Sequence, residues 1–182
     1  MARLRSKRKP ATATKAPLTP EERRQQTFQR AAKLLAAKSR SLAELRDLLL
    51  ERQGATKANV EEVLARLTEY GYLNDERFAI SYASDKVRQR PIGRQRLKRD
   101  LALKKVSKET ADEALDLVFA ETPESELIDR AIEKRVRLRG RPENRAQAKS
   151  LFDHLLRQGF PFELVAEKVR AVAQATIDND EL

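Results

Sequence analysis

The feature that most narrows what this chain can fold into is a spacing. Displaced against itself by 54 residues, the sequence sets Leu97 on Leu151, Leu101 on Leu155, Val106 on Phe160, Ala111 on Val165, Leu115 on Val169 and Val118 on Val172, without a gap. An earlier stretch joins the same register. A displacement of 52 sets Leu45 and Leu49 on Leu97 and Leu101, and one of 51 sets Val60, Leu64 and Leu67 on Ala111, Leu115 and Val118. The one-residue change falls in the linker around Gly54. Within each copy the apolar positions recur every three or four residues, the period of an amphipathic helix. A unit of about 50 residues is close to the smallest that closes a core of its own, and units stacked in series bury faces against their neighbours. The expected fold is all-α, an elongated array of three tandem three-helix repeats.

Local signals place the helices. Thr19-Pro20-Glu21-Glu22 combines a capping box with a proline at the first helical position. Ser41-Leu42-Ala43-Glu44 reads as a second capping box, and Thr56, Asn74-Asp75 and Ser107 open further helices. Pro91 and Gly93 end one helix and begin the next, while Thr122-Pro123-Glu124 repeats the Thr-Pro start. The apolar face after Gly93 is expected to be Leu97 and Leu101 with Leu103 or Ala102. The resulting division is a basic disordered tail over 1–18, helical repeats over 19–73, 74–121 and 122–177, and an acidic frayed tail over 178–182. The first tail carries six cations, no acid and two prolines, too little apolar surface to offset its ordering entropy. It reads as a non-specific electrostatic arm. No apolar run follows it, so it is not read as a secretory signal.

The charge is lopsided. Lys and Arg number 38 against 28 Asp and Glu, a net charge of +10 that points to an anionic partner, nucleic acid being the commonest. From Lys86 to Lys108 there are ten cations and one acid, Asp100. Arg88, Arg90, Arg94, Arg96, Lys98, Arg99, Lys104 and Lys105 are the candidate contacts. Like charges this close repel, and a polyanion would relieve them. Arg135, Arg137, Arg139 and Arg141 form a secondary basic patch diluted by Glu133 and Glu143. No aromatic residue interleaves with the first cluster, so phosphate tracking fits better there than base stacking. Tyr70, Tyr72, Phe78 and Tyr82 sit at helical spacing and are expected in the core, and His154 is expected to be structural rather than a ligand.

Catalytic classes find little support. There is no Cys and a single His, so neither a thiol nucleophile, a zinc-thiolate site nor a multi-histidine metal site can be built. Neither GxGxxG nor GxxxxGK[ST] occurs, no apolar stretch approaches the ~18 residues of a membrane span, and no carboxylate constellation suggests acid–base chemistry. No catalytic residue, metal or cofactor is expected.

Three stretches resemble the bacterial RecX family of RecA regulators. Ser39-Arg40-Ser41-Leu42-Ala43-Glu44-Leu45 is similar to its Ser-Arg-x-Glu-Leu start, Gly71-Tyr72-Leu73-Asn74-Asp75-Glu76-Arg77-Phe78-Ala79 to its most distinctive motif, and Arg157-Gln158-Gly159-Phe160 to its Arg-x-Gly-Phe turn. The likeness spans roughly residues 28 to 173. One departure is Lys105-Val106, where the family usually has Gly before an aliphatic residue. The resemblance implies tandem three-helix repeats and a cytoplasmic, non-enzymatic protein that binds the RecA–DNA filament and hinders its extension, ATPase and strand exchange, in DNA repair, recombination and the SOS response. It also implies non-specific binding to single- or double-stranded DNA. A monomer without membrane contact is expected. Leu73, Phe78 and Tyr82 are assigned to packing between units. Two rival readings are a DNA-binding protein acting without RecA and a helical scaffold for protein partners whose charge serves solubility.

Overall fold

The computed structural model describes residues 19–52 and 55–177. The expected tails at 1–18 and 178–182 lie outside the described residues, as does Gly54. The described residues form nine helices and no strand: α1 (Pro20–Ala37), α2 (Leu42–Leu50), α3 (Lys57–Glu69), α4 (Asp75–Gln89), α5 (Arg94–Leu103), α6 (Lys108–Glu121), α7 (Glu124–Arg139), α8 (Arg145–Gln158) and α9 (Phe162–Ile177). None is long and apolar enough to cross a membrane.

Capping explains most of the starts. The four N-terminal amides of a helix lack intrahelical partners, and the side chains of Thr19, Ser41, Thr56, Asn74, Ser107 and Asn144 each accept from one of them. At Thr19 the capping box is complete, because Glu22 reaches back to the Thr19 amide at 2.8 Å. At Ser41 it is only half made, since Glu44 turns away to Lys104. Thr122 closes α6 instead of opening α7, whose first residue Glu124 follows Pro123 with no side-chain cap.

The helices pack chiefly in trios: α1 and α2 against α3, α4 and α5 against α6, and α7, α8 and α9 mutually. Two cores result. Leu45, Leu49, Val60, Leu64, Leu67 and Leu73 close the first trio. The second core is shared by the other two trios, from Phe78, Ile92, Leu97 and Leu101 through Leu115 to Leu127, Ile128, Leu155 and Val165. Leu73 therefore belongs to the first unit's interior, while Phe78, with Tyr82 stacked on it at 5.9 Å, belongs to the shared core. Two expectations are corrected here. Tyr70 and Tyr72 are 52% and 67% exposed, because both follow the last residue of α3 and helical spacing does not apply to them. The α5 stripe is Leu97 and Leu101 alone, with Ala102 exposed and Leu103 79% exposed.

The joints between units repeat as the sequence does. Between the second and third units, the Gly93 amide donates to the Gln158 carbonyl at 3.0 Å and the Gln95 amide to the Gly159 carbonyl at 3.1 Å. The two backbones touch: a Cβ on Gly93 would lie 2.3 Å from the Gly159 carbonyl carbon. Between the first and second units, Ser41 stands where Gly93 does and Lys104 where Gln158 does. Here the buried Ser41 hydroxyl donates to the Lys104 carbonyl, replacing the peptide N–H of the other joint. Lys105 takes the place of Gly159 and adopts its left-handed backbone, φ 58° against 91°. Each joint also carries a borrowed cap. Asp75, first residue of α4, accepts from the Leu42 amide at 2.7 Å, and Glu124, first residue of α7, accepts from the Arg94 amide at 2.7 Å.

Candidate functional site

Among the described residues there is no grouping of His, Asp and Glu able to hold a metal, and the most pronounced feature is the distribution of charge. The eight candidate cations of the second unit lie on the end of α4, on α5 and on the α5–α6 turn. Six of them have a carboxylate partner. Arg94 binds Asp116 at 2.7 Å and Lys98 binds both oxygens of Asp112, so α6 neutralises the outer flank of α5. Lys104 binds Glu44 at 2.7 Å and Lys105 binds Asp47, so the first unit neutralises the turn. Arg88 pairs with Asp85, and Arg96 lies 3.5 Å from Asp100 while donating to the Arg157 carbonyl. Only Arg90 and Arg99 have no acid among the described residues; Arg99 donates to the Gln95 carbonyl.

The expected repulsion along this run is thus relieved inside the molecule. Most of these pairs are exposed and stabilise by about 0–1 kcal/mol each. The Lys104–Glu44 pair, 25% and 20% exposed, is the most enclosed. The Lys98 ammonium, by hydrogen bonding, holds the Asp112 carboxyl below the usual carboxylate range. Burial pushes Glu124 the other way, above its ordinary value, against the opposing pull of the Arg94 amide it caps.

The secondary patch is the less compensated one. Among the described residues Arg137, Arg139 and Arg141 have no carboxylate within ion-pair distance, and Arg135 meets only the Ser150 hydroxyl at 3.4 Å. Arg137 and Arg139 end α7, where cations favour the negative end of the helix dipole. Gly140, at φ 78°, then reverses the chain toward Arg141 and the buried Pro142. Arg135, Arg139 and Arg141 line a cavity of about 570 Å³ between this turn and α8. Neither Glu143 nor Asp153, the one acid of α8, lines it, and Asp153 is bound to Lys149 at 2.7 Å.

Such an arrangement is chemically suited to hold an anion. A guanidinium presents a planar fork of donors to phosphate or carboxylate, and phosphate contacts of this kind position a protein without reading sequence.

Comparison with known proteins adds the following. A family model described as "RecX, second three-helix domain" matches residues 74–115. The chain is 34% identical to the regulatory protein RecX of Chlorobium limicola over 145 residues, 79% of this chain and 87% of that protein. It is 40% identical to the protein of the same name from Treponema pallidum over 110 residues, where it spans 66% of the relative's length, and it spans 57% of the Bacillus licheniformis relative. The crystal structure of RecX from Lactobacillus salivarius superposes with a TM-score of 0.74 at 19% identity, over 85% of this chain and 99% of that one, which speaks to the fold.

Proposed function

The chain belongs to the family of the regulatory protein RecX, and from that premise we propose that it is a non-catalytic, cytoplasmic regulator of the RecA recombinase. It binds the RecA–DNA filament and limits the filament's extension, ATPase and strand exchange, and so modulates recombination, DNA repair and the SOS response. The observation that carries this reading is the row of acid-free arginines, Arg137, Arg139 and Arg141, on a linear array of helical units. A long, repeating, partly phosphate-lined groove suits such a body, because successive units meet successive protomers while the cations meet DNA. Arg90 and Arg99 join those arginines as direct contacts. Arg88, Arg94, Arg96, Lys98, Lys104 and Lys105 contribute to the cationic face but must leave an acid to bind a phosphate.

The test is an ATPase titration of RecA on single-stranded DNA. Inhibition is expected at amounts well below one protein per RecA. Inhibition that tracks only coverage of naked DNA, and that equally blocks an unrelated single-strand-binding protein, would favour a DNA-binding protein acting without RecA. No response in either assay would favour the scaffold reading.

A further inference from the structure

A second, smaller cleft lies where the α4–α5 loop meets α7 and α8, with a volume of about 180 Å³. Its polar wall is Arg90, Lys134, Arg135, His154 and Gln158, with the buried Ala131 and the exposed Leu138 also lining it. No carboxylate lines it. Arg90 comes from the second unit, as the residue that ends α4, and the other four from the third. Neither Arg90 nor Lys134 has an ion-pair partner among the described residues, and the acids nearby are engaged: Asp153 with Lys149 and Asp129 with Lys168. Three permanent cations converging from two units on one hollow, without a counter-charge, repel one another. An anion with several acceptor oxygens removes that repulsion and satisfies the guanidinium forks together.

We propose that this cleft is a phosphodiester-binding site that seats one backbone phosphate of a nucleic-acid strand across the joint between the second and third units. The proposal deepens the filament reading, since the strand it receives is the DNA of the target. Arg90 and Arg135 grip the phosphate from opposite units, Lys134 adds a mobile ammonium at the rim, and Gln158 supplies a neutral donor. Because the shared core and the Gly93–Gln158 and Gln95–Gly159 hydrogen bonds fix this joint, the cations are held in place before the strand arrives.

His154 makes occupancy visible. It is half-buried, and burial, followed by the charges of Arg135, Arg157 and Arg139, holds its pKa below the ordinary value. The charged groups around it are Arg90 from the α4–α5 side, Lys134, Arg135 and Arg139 from α7, and Arg157 and the Lys149-bound Asp153 from α8; α9 packs on α7 through Lys168 and Asp129. A bound phosphate offsets part of the surrounding positive charge, so the imidazole takes up a proton more readily and binding tightens as pH falls.

The chain has one histidine, so the tag-free protein gives a single imidazole Cε1–H signal by NMR. Adding a short oligothymidylate is expected to shift that signal and raise its titration midpoint. In the double variant R90A/K134A, whose two residues sit in no ion pair, oligonucleotide affinity is expected to fall roughly tenfold and the salt slope by about 0.7, the share of one phosphate on a single strand. An unchanged urea midpoint would show that the variant folds. An oligonucleotide that binds with full affinity to R90A/K134A while leaving the His154 signal still would overturn the cleft and leave the filament reading standing. A response to inorganic phosphate but not to the oligonucleotide would overturn it in favour of a small-anion site. An equal response to an acidic peptide would overturn it in favour of a protein partner. Loss of ATPase inhibition by the unaltered protein, with its oligonucleotide-induced shift intact, would sink the filament reading and spare the cleft.

Discussion

Replacing Gly93 with alanine tests the joint between the second and third units at its tightest point. Gly93 has an ordinary φ of −85°, so the backbone does not demand glycine there. The neighbour does. The added Cβ would sit 2.3 Å from both the carbonyl carbon and oxygen of Gly159 and 2.4 Å from the Phe160 nitrogen, all of them backbone atoms that cannot rotate away. The start of α5 must retreat from the α8–α9 turn. That breaks the Gly93–Gln158 and Gln95–Gly159 hydrogen bonds, each of net value about 1 kcal/mol. Overpacking strain adds about 1–3 kcal/mol. The expected loss is therefore about 3–5 kcal/mol, a large share of the ~5–15 kcal/mol of a typical domain. Gly140 provides the control. It has φ 78° and ψ 171°, a backbone region essentially kept to glycine, but nothing within 4 Å of where a methyl would stand, so alanine there meets a backbone penalty of about 1–3 kcal/mol and no clash, partly offset by a stiffer unfolded chain. Urea unfolding followed by circular dichroism reads both. With a slope of about 2 kcal/mol/M, G93A should lower the midpoint by roughly 2 M and G140A by about 1 M at most. Exchange of the Gln95 amide should also accelerate in G93A. A G93A midpoint within about 0.5 M of the parent, or G140A proving the worse of the two, would refute the claim that the units meet backbone to backbone.

Three further outcomes are expected. At Lys105, K105G should be more stable than K105A by about 1 kcal/mol by chemical denaturation, because both lose the ion pair with Asp47 but only alanine keeps a Cβ at φ 58°; equal stability would mean the backbone is not left-handed. At Glu124, E124A should cost about 1 kcal/mol by the same assay through the lost cap on Arg94, while E124Q keeps an acceptor oxygen. Because the Glu124 pKa is raised, the folded state binds the proton more readily, so stability from this group is gained as pH falls through its folded value and absent above it; E124Q should remove the gain that builds up as pH falls toward 4.5, and an unaltered pH profile would contradict the burial. In oligonucleotide binding, R137A/R139A/R141A should flatten the salt dependence by about two to three units and R94A/K98A by less than one, since the latter cations already hold Asp116 and Asp112; the reverse order would return the site to α5.

Much of the architecture was legible because it is written in short-range chemistry. Ser107 and Asn74 cap where the sequence says they should, and the registers of Leu97 on Leu151 and Leu45 on Leu97 are realised as equivalent core positions. The misreadings share one cause: neighbours that sequence proximity hides. The basic run from 86 to 108 looked unopposed because Glu44 and Asp47 lie some 60 residues upstream and reach Lys104 and Lys105 only through the stacking of units. Asp112 and Asp116 sit just past it, yet only the antiparallel return of α6 along α5 turns them toward Lys98 and Arg94. Conversely, the dilution of the 130–145 run by Glu133 and Glu143 proved immaterial, as neither reaches its arginines. Tyr70 and Tyr72 satisfied a helical period one turn after the helix had ended.

The first joint, fastened by Lys104 on Glu44 and Lys105 on Asp47 rather than by a common core, behaves as an ionic clasp. A polyanion drawn to those two lysines competes with the acids that hold the clasp shut. What would then remain at this joint is the Ser41–Lys104 hydrogen bond and the Asp75 cap on Leu42, whereas the trailing two units share a core. Ionic strength acts on both at once: the salt that would weaken the proposed hold on DNA also screens the clasp.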